Sequence, residues 1–525
     1  MQTDFEEAID KLAGGTLTVF LGLFFAVLFQ FITRLVLFRG LSQEDYGIFI
    51  LGTVILGLAV IIAGLGLKSG VTRFISYSRG EARPDKVRGT IRDSLSICFV
   101  SGIIAALFLF LLAGPMSRLF DAPGLRDVLR IFALALPAGI ILSVITAIFR
   151  GFDLVRVKVI FEDITFYGLS TVLIIAAVTA QLGLAWTAFA MTSAYIITAA
   201  AIIVYAAKKL PRLLEPVPAV ESARKLLWFS IPLALESTLA TMALWTDTIM
   251  LGLYKSEEVV GTYNVAVPFA NLLPVVLVAL IFVFLPLATR LLAEGKKLEV
   301  RALYRTATKW AFVLTLPLLL TFSLFARPVI LLFGGARYEE AATALAILSL
   351  GFFVHVLLGP NGVTLVVLGK PNLLLLDGFF GLLCNIALNA LLIPRWGLQG
   401  AAVASSISIA LSNALKSMQI YFLARIHPFS SAYLKPVVLT VLGGIVLYLP
   451  ISFLLEKASP LVILVYPVML VLSLAFTLAS HSLEEEDLAF LSNIMVRLRL
   501  DPSRVRARLS RFAVAGNGPG EESGS

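Results

Sequence analysis

Apolar runs of about 20 residues, separated by short polar breaks, recur from Leu17 to Ala479. A helix of that length spans the roughly 30 Å hydrocarbon layer of a bilayer. Fourteen such segments are predicted, at 16–38, 46–67, 91–113, 128–149, 160–180, 184–207, 227–252, 260–288, 308–333, 342–367, 373–393, 398–424, 436–455 and 461–480. In lipid a helix satisfies its own backbone hydrogen bonds. The alternating segments of about ten residues that mark a membrane β-barrel do not occur in the sequence. The pattern therefore predicts an all-α polytopic membrane protein.

Composition agrees. Of 525 residues, 59% are hydrophobic and 14% charged, and mean hydropathy is +0.95. The net charge of +9 raises nucleic acid as a partner, but the basic residues cluster between apolar runs, the pattern that orients membrane proteins. One set of breaks is rich in Lys and Arg: seven in Lys68 to Arg92, three in Arg150 to Lys158, five in Lys208 to Lys225 and six in Arg290 to Lys309. The alternate breaks are poor. The rich side is expected to be cytoplasmic, with both termini inside the cell membrane. The acidic start, MQTDFEEAID, does not read as a cleavable signal. Cys98 and Cys384 both lie in apolar runs and read as small core residues.

A weak repeat divides the chain. Residues 34–49, RLVLFRGLSQEDYGIF, and 247–263, DTIMLGLYKSEEVVGTY, each close one span with a short acidic turn and open the next with Gly near Tyr. The implied organisation is an N-terminal six-helix lobe (1–210), a basic linker (211–225), a second six-helix lobe (226–427), two further spans (433–480) and a basic tail (481–525). A capping-box pattern, Ser482 to Glu485, opens an amphipathic helix in that tail, and the final residues, GNGPGEESGS, read as disordered.

Polar groups within spans then matter most, because a charge at mid-membrane costs at least about 2.5–3.5 kcal/mol. Arg34 sits in the first span with Gln30 one turn away. It could snorkel, pair with an acid, or bind an anion. The acids on offer are in the seventh span, where Glu236 and Asp247 share a face and are the candidate gate or ion-coupling residues; Asp247 takes the repeat position of Arg34, so those two are expected to face each other, as a salt bridge closing the outer gate or as a static packing pair. The eighth span offers Asn264 and Asn271 on one face, beside Pro268 and Pro274. Later spans carry His355, Asp377, Asn385, Asn389, Asn413 and Lys416. Static packing between helices is the plainer reading for any one Asn. Taken together, Arg34, Gln30, Asn264, Asn271, Asn385, Asn389 and Lys416 predict a polar cavity. The sequence holds no metal-ligand spacing, phosphate loop or nucleophile elbow.

Several stretches resemble one family. FITRLVLFRGLSQEDYGIFIL, GLGLKSGVTRFISYSRGE, VILLFGGARYEEAATALAILSLG and, most specifically, LGKPNLLLLDGFFGLLCNIALNALLIPRWGLQGAAVASSIS are similar to the polysaccharide-transport, O-antigen-flippase-like branch of the multidrug/oligosaccharidyl-lipid/polysaccharide flippase superfamily. The resemblance covers roughly residues 15–480. It implies two six-helix lobes around a cavity opening alternately to each side, and a flippase, not an enzyme. The implied cargo is a polyprenyl-(pyro)phosphate-linked oligosaccharide carried from the cytoplasmic to the outer leaflet, for surface polysaccharide or glycoprotein glycans. The implied partners are that cargo, membrane lipids and other glycan-assembly membrane proteins. The expectation is a monomer with no cofactor beyond a Na+ or H+ coupling ion. Arg34 would hold the phosphate. The alternatives are a cation-coupled multidrug exporter of the same superfamily, using Glu236 or Asp247, and a membrane glycan polymerase or ligase, which the short outer loops disfavour.

Overall fold

The computed structural model describes residues 2–212, 218, 220, 223–429, 434–454 and 461–480, with side chains from Leu21 onward apart from a few positions. Among these residues the chain is helical, without strands. In order the helices are α1 (Gln2–Gly40), α2 (Gln43–Ala63), α3 (Leu67–Gly80), α4 (Pro84–Leu119), α5 (Leu125–Ala133), α6 (Ala135–Gly151), α7 (Val155–Lys158), a π-helical turn (Val159–Phe166), α8 (Tyr167–Thr179) and α9 (Leu184–Lys209). There follow α10 (Ala223–Tyr254), α11 (Glu257–Ala270), α12 (Val275–Ala293), α13 (Lys297–Leu324), α14 (Ala326–Phe333), α15 (Ala341–Leu357), α16 (Asn361–Val367), α17 (Pro371–Ala424), α18 (Leu434–Leu454) and α19 (Val462–Ala479). Two compact units divide them, residues 1–265 and 266–525.

Among the described residues ten helices are long and apolar enough to cross a membrane, or twelve if each of two bent pairs is one span. One of the ten is α17, with 54 residues. At about 1.5 Å per residue it can cross a roughly 30 Å core twice, and it breaks at Gly397, whose φ of 54° and ψ of −128° are non-helical. The sequence around the break explains it. Pro394 removes a backbone donor. A Cβ on Gly400 would lie 2.4 Å from the Leu392 carbonyl oxygen, so only glycine lets the two halves close.

The packing is that of a protein in lipid. On α4, Phe99, Ile103, Ile104, Leu107, Phe108 and Leu111 are exposed, while Cys98, Gly102 and Ala113 are buried. These small residues face protein and these large ones face outward, as in membrane helix packing. Cys98 is fully buried and Cys384 half-buried; both are free thiols.

Three features differ from the sequence expectation. The basic stretch Lys68 to Arg92 is not a loop: α3 and the start of α4 run through it. Leu67, Val71 and Ile75, spaced four apart, bury one face of α3 against α6, while its basic residues occupy the other. The eighth span is two helices, because Pro268 and Pro274 bracket a break after Ala270. Lys309, counted among the loop residues, lies on α13 and is 1% exposed.

Candidate functional site

In the first unit the ends of α1 and α10 and the starts of α2 and α11 converge on a buried polar cluster. Ser42 caps α2 by accepting from the Asp45 amide at 3.0 Å. This fixes the turn that sends Tyr46 inward. Tyr46 is fully buried, and its hydroxyl donates to the Asn264 carbonyl at 3.2 Å. With its proton so directed, the hydroxyl oxygen accepts from the Arg34 guanidinium beside it. The guanidinium also lies over the Trp245 ring, 5.8 Å from its centroid. Arg34 Nη1 is buried and makes no hydrogen bond. A buried cationic donor without an acceptor is costly unless something anionic comes to it.

The acid of the cluster has its own donor. Asp247, 9% exposed, accepts from the Tyr263 hydroxyl at 2.7 Å. Next to it Thr248 bonds to Asn264, whose Nδ2 also donates to the Val260 carbonyl at 2.9 Å. Asn264 is thus a packing residue joining α10 and α11. Arg34 and Asp247 belong to the same compact unit. The repeat register also differs from the one expected. Gly47 and Gly261 touch: a Cβ on Gly47 would lie 1.9 Å from the Glu257 carbonyl oxygen, and one on Gly261 2.5 Å from that of Gln43. Counting back from this pair, Thr248 answers to Arg34, and Asp247 to Thr33. Gln30 is exposed on α1. The Glu236 side chain lies outside the described residues; its backbone is within α10. Asn271 is exposed at the break between α11 and α12, so it does not share an unbroken helix face with Asn264.

The sequence model for the polysaccharide biosynthesis protein family matches residues 12–292. The chain belongs to that family. With it goes membership of the polysaccharide-transport branch of the multidrug/oligosaccharidyl-lipid/polysaccharide flippase superfamily; a second family model, MatE, matches residues 232–391. The chain is similar to the probable low-salt glycan biosynthesis flippase Agl15 of Haloferax volcanii, with 22% identity over 411 residues, 77% of this chain and 82% of that one. It is 28% identical over 214 residues to the uncharacterized membrane protein MJ1068 of Methanocaldococcus jannaschii. That match spans 40% of this chain and 41% of the relative, less than half its length. Among solved structures, the inward closed conformation of the lipid II flippase MurJ superposes with a TM-score of 0.68, covering 88% of this chain and 97% of that one. At 14% identity that likeness is one of fold.

In this chain the second unit holds the remaining expected residues. Asn389 donates to Asn385 at 3.1 Å, and Asn385 donates to Ser405 at 3.2 Å, tying the two halves of α17 together. His355 of α15 bonds to Asn413 at 2.8 Å, and Asn361 of α16 donates to the Asn413 carbonyl and to Ser417. Lys416 is half-buried, on the half of α17 that faces Asp377. Outside the spans, His427 is 2.8 Å from an Arg305 guanidinium nitrogen, and burial together with that charge holds its pKa below the usual value. Among the described residues no three His, Cys, Asp or Glu side chains converge as a metal site.

A second charged cluster escaped the sequence reading. On the π-helical turn, Glu162 accepts from Lys68 at 3.1 Å and from the Thr146 hydroxyl, and Asp163 pairs with Lys158 at 2.7 Å. The signal was available: two adjacent acids stand within the predicted 160–180 span, a few residues after Lys158, which reads as a loop residue. A π turn shifts the helix phase, and here both acids meet basic partners inside the first unit.

Proposed function

We propose that the chain is a flippase for a polyprenyl-(pyro)phosphate-linked oligosaccharide, moving it from the cytoplasmic to the outer leaflet of the cell membrane by alternating access. The observation that carries this is the buried, unpartnered Nη1 of Arg34. A guanidinium fork matches a phosphate's oxygens in pairs. Trp245 and Tyr46 hold that fork from two sides, so a phosphate would meet a positioned cation. Membership of the polysaccharide biosynthesis family and the name of the Haloferax relative support a glycan cargo. The polyprenyl tail would remain in lipid. The protein works as a transporter with cytoplasmic termini, by the distribution of Lys and Arg, and as a monomer.

The test combines deletion with substitution. Cells lacking the gene accumulate complete lipid-linked oligosaccharide on the cytoplasmic face and lose surface glycan. Arg34→Ala fails to restore it, with transport down at least tenfold, and Arg34→Lys restores part, since charge survives and the fork does not. Equal transport by wild type and Arg34→Ala would remove the phosphate role. A second reading, a cation-coupled multidrug exporter, draws on the MatE match and the buried Asp247. It is favoured if the deletion leaves lipid-linked glycan normal and makes cells sensitive to cationic drugs.

A further inference from the structure

Asp377 lies two turns into α17, is 1% exposed, and is not part of the Arg34 cluster. Its Oδ1 accepts from Gln419 Nε2 on the other half of α17, at 2.8 Å. The second oxygen of each group, Asp377 Oδ2 and Gln419 Oε1, is also buried, and neither has a hydrogen-bond donor. A carboxylate and an amide joined by one N–H···O bond thus present two further acceptors with nothing to accept. Reversing the Gln419 amide does not help, because it would set two oxygens against each other at 2.8 Å. The missing element is a single donor.

We propose that Asp377 is a proton-binding site, carrying a hydrogen on Oδ2 that closes a cyclic acid–amide pair with Gln419. One proton satisfies both orphaned oxygens at once, and it removes a full charge from a side chain shut off from water. The proton has somewhere to leave from and the carboxylate has something to meet. Lys416 stands one turn before Gln419 and attracts the Asp377 charge, but no direct ion pair joins them among the described residues. On deprotonation the proton goes to solvent, and the carboxylate left behind pairs with the Lys416 ammonium. Two arrangements therefore compete, Asp377–Gln419 when protonated and Asp377–Lys416 when not. Of the described helices packed on α17, α15 brings His355, which bonds to Asn413, and α16 brings no ionisable group; α13 reaches the same half of α17 with Tyr304, bonded to Ser417, and with Arg301, which donates to the Ala424 carbonyl. Both partners lie within the second unit, so occupancy of the site can bias how the two halves of α17 pack. Use of this site to drive transport rests on the flippase reading; the proton site itself does not.

Infrared difference spectroscopy on the purified full chain in lipid nanodiscs tests it without any transport assay. The wild type shows a protonated-carboxyl carbonyl band near neutral pH that shifts in D2O, fades as pH rises, and is missing in Asp377→Asn but kept in Asp163→Asn. Asn preserves the cyclic hydrogen-bond pattern, so that variant mimics the protonated state and folds. In Gln419→Ala the band persists but moves, because its acceptor is gone. Identical carboxyl bands in wild type and Asp377→Asn would overturn the proposal. So would an unmoved band in Gln419→Ala. A sodium-dependent rise in melting temperature that Asp377→Asn abolishes would overturn it as well, because a metal ion would then fill the gap between the oxygens.

Discussion

At the scale of residues, the cluster around Arg34 and Asp247 gives each charge a different kind of partner. Arg34 has an aromatic face, a phenol oxygen and an idle Nη1; Asp247 has a phenol proton. The Tyr263–Asp247 bond is a neutral donor on a buried carboxylate, a class worth about 1.5–3 kcal/mol. A double-mutant cycle of Asp247→Asn and Tyr263→Phe, followed by thermal unfolding in detergent, should return a coupling of that size. A coupling near zero would mean that Asp247 is held by other groups. The sequence announced Arg34 and Asp247 because a charge inside an apolar run is conspicuous. It marked Tyr46 and Tyr263 only as repeat positions and gave no sign of Trp245, since an aromatic residue in such a run looks like any other apolar one. Gln419 was hidden for a similar reason: it stands near the end of a span, where a polar residue needs no explanation.

At the scale of elements, the apolar runs marked the chain as helical and membrane-spanning, because hydropathy is the physical quantity that decides where a helix can sit in lipid; ten to twelve candidate spans lie among the described residues. What the runs did not give was the helical character of the basic stretches. Short helices such as α3 bury one face and show the other, so by composition they resemble loops. Nor did they give the π turn, which changes the phase of the side chains without changing their hydropathy. The repeat was legible only as a motif; its meaning is the contact of Gly47 with Gly261, where two helix starts cross without intervening side chains. Gly47→Ala should therefore force the α2 and α11 backbones apart, costing about 1–3 kcal/mol or more and lowering the melting temperature. Gly57→Ala on the same α2 helix meets nothing within 4 Å and should leave it unchanged or slightly raised. Equal effects of the two substitutions would count against the close crossing.

At the scale of the whole molecule, the connection between α9 and α10 is not a free tether along its whole length. The Val220 amide donates to the Asp85 carbonyl at 3.2 Å, and the Ala223 amide donates to buried Asp93 at 3.0 Å, so the entry to α10 is fastened to α4. A Cβ on Gly89 would lie 1.7 Å from the Val220 carbonyl oxygen. Gly89→Val should lift the connection off α4, and a protease acting between Lys209 and Ala223 should then cut several-fold faster than in wild type. Gly114→Ala, at an open position on the same helix, should cut at the wild-type rate; if Gly89→Val does too, the fastening is not what protects the segment.

The Gly47–Gly261 crossing carries one more consequence. A seam made of backbone offers a surfactant no gap to enter and no side chain to coat. Solubilisation should loosen the protein elsewhere before it opens there. Two spectroscopic labels placed on the exposed faces of α2 and α11 near this crossing would keep one distance through every change of detergent, and would serve as the fixed ruler against which movement in the rest of the molecule is measured.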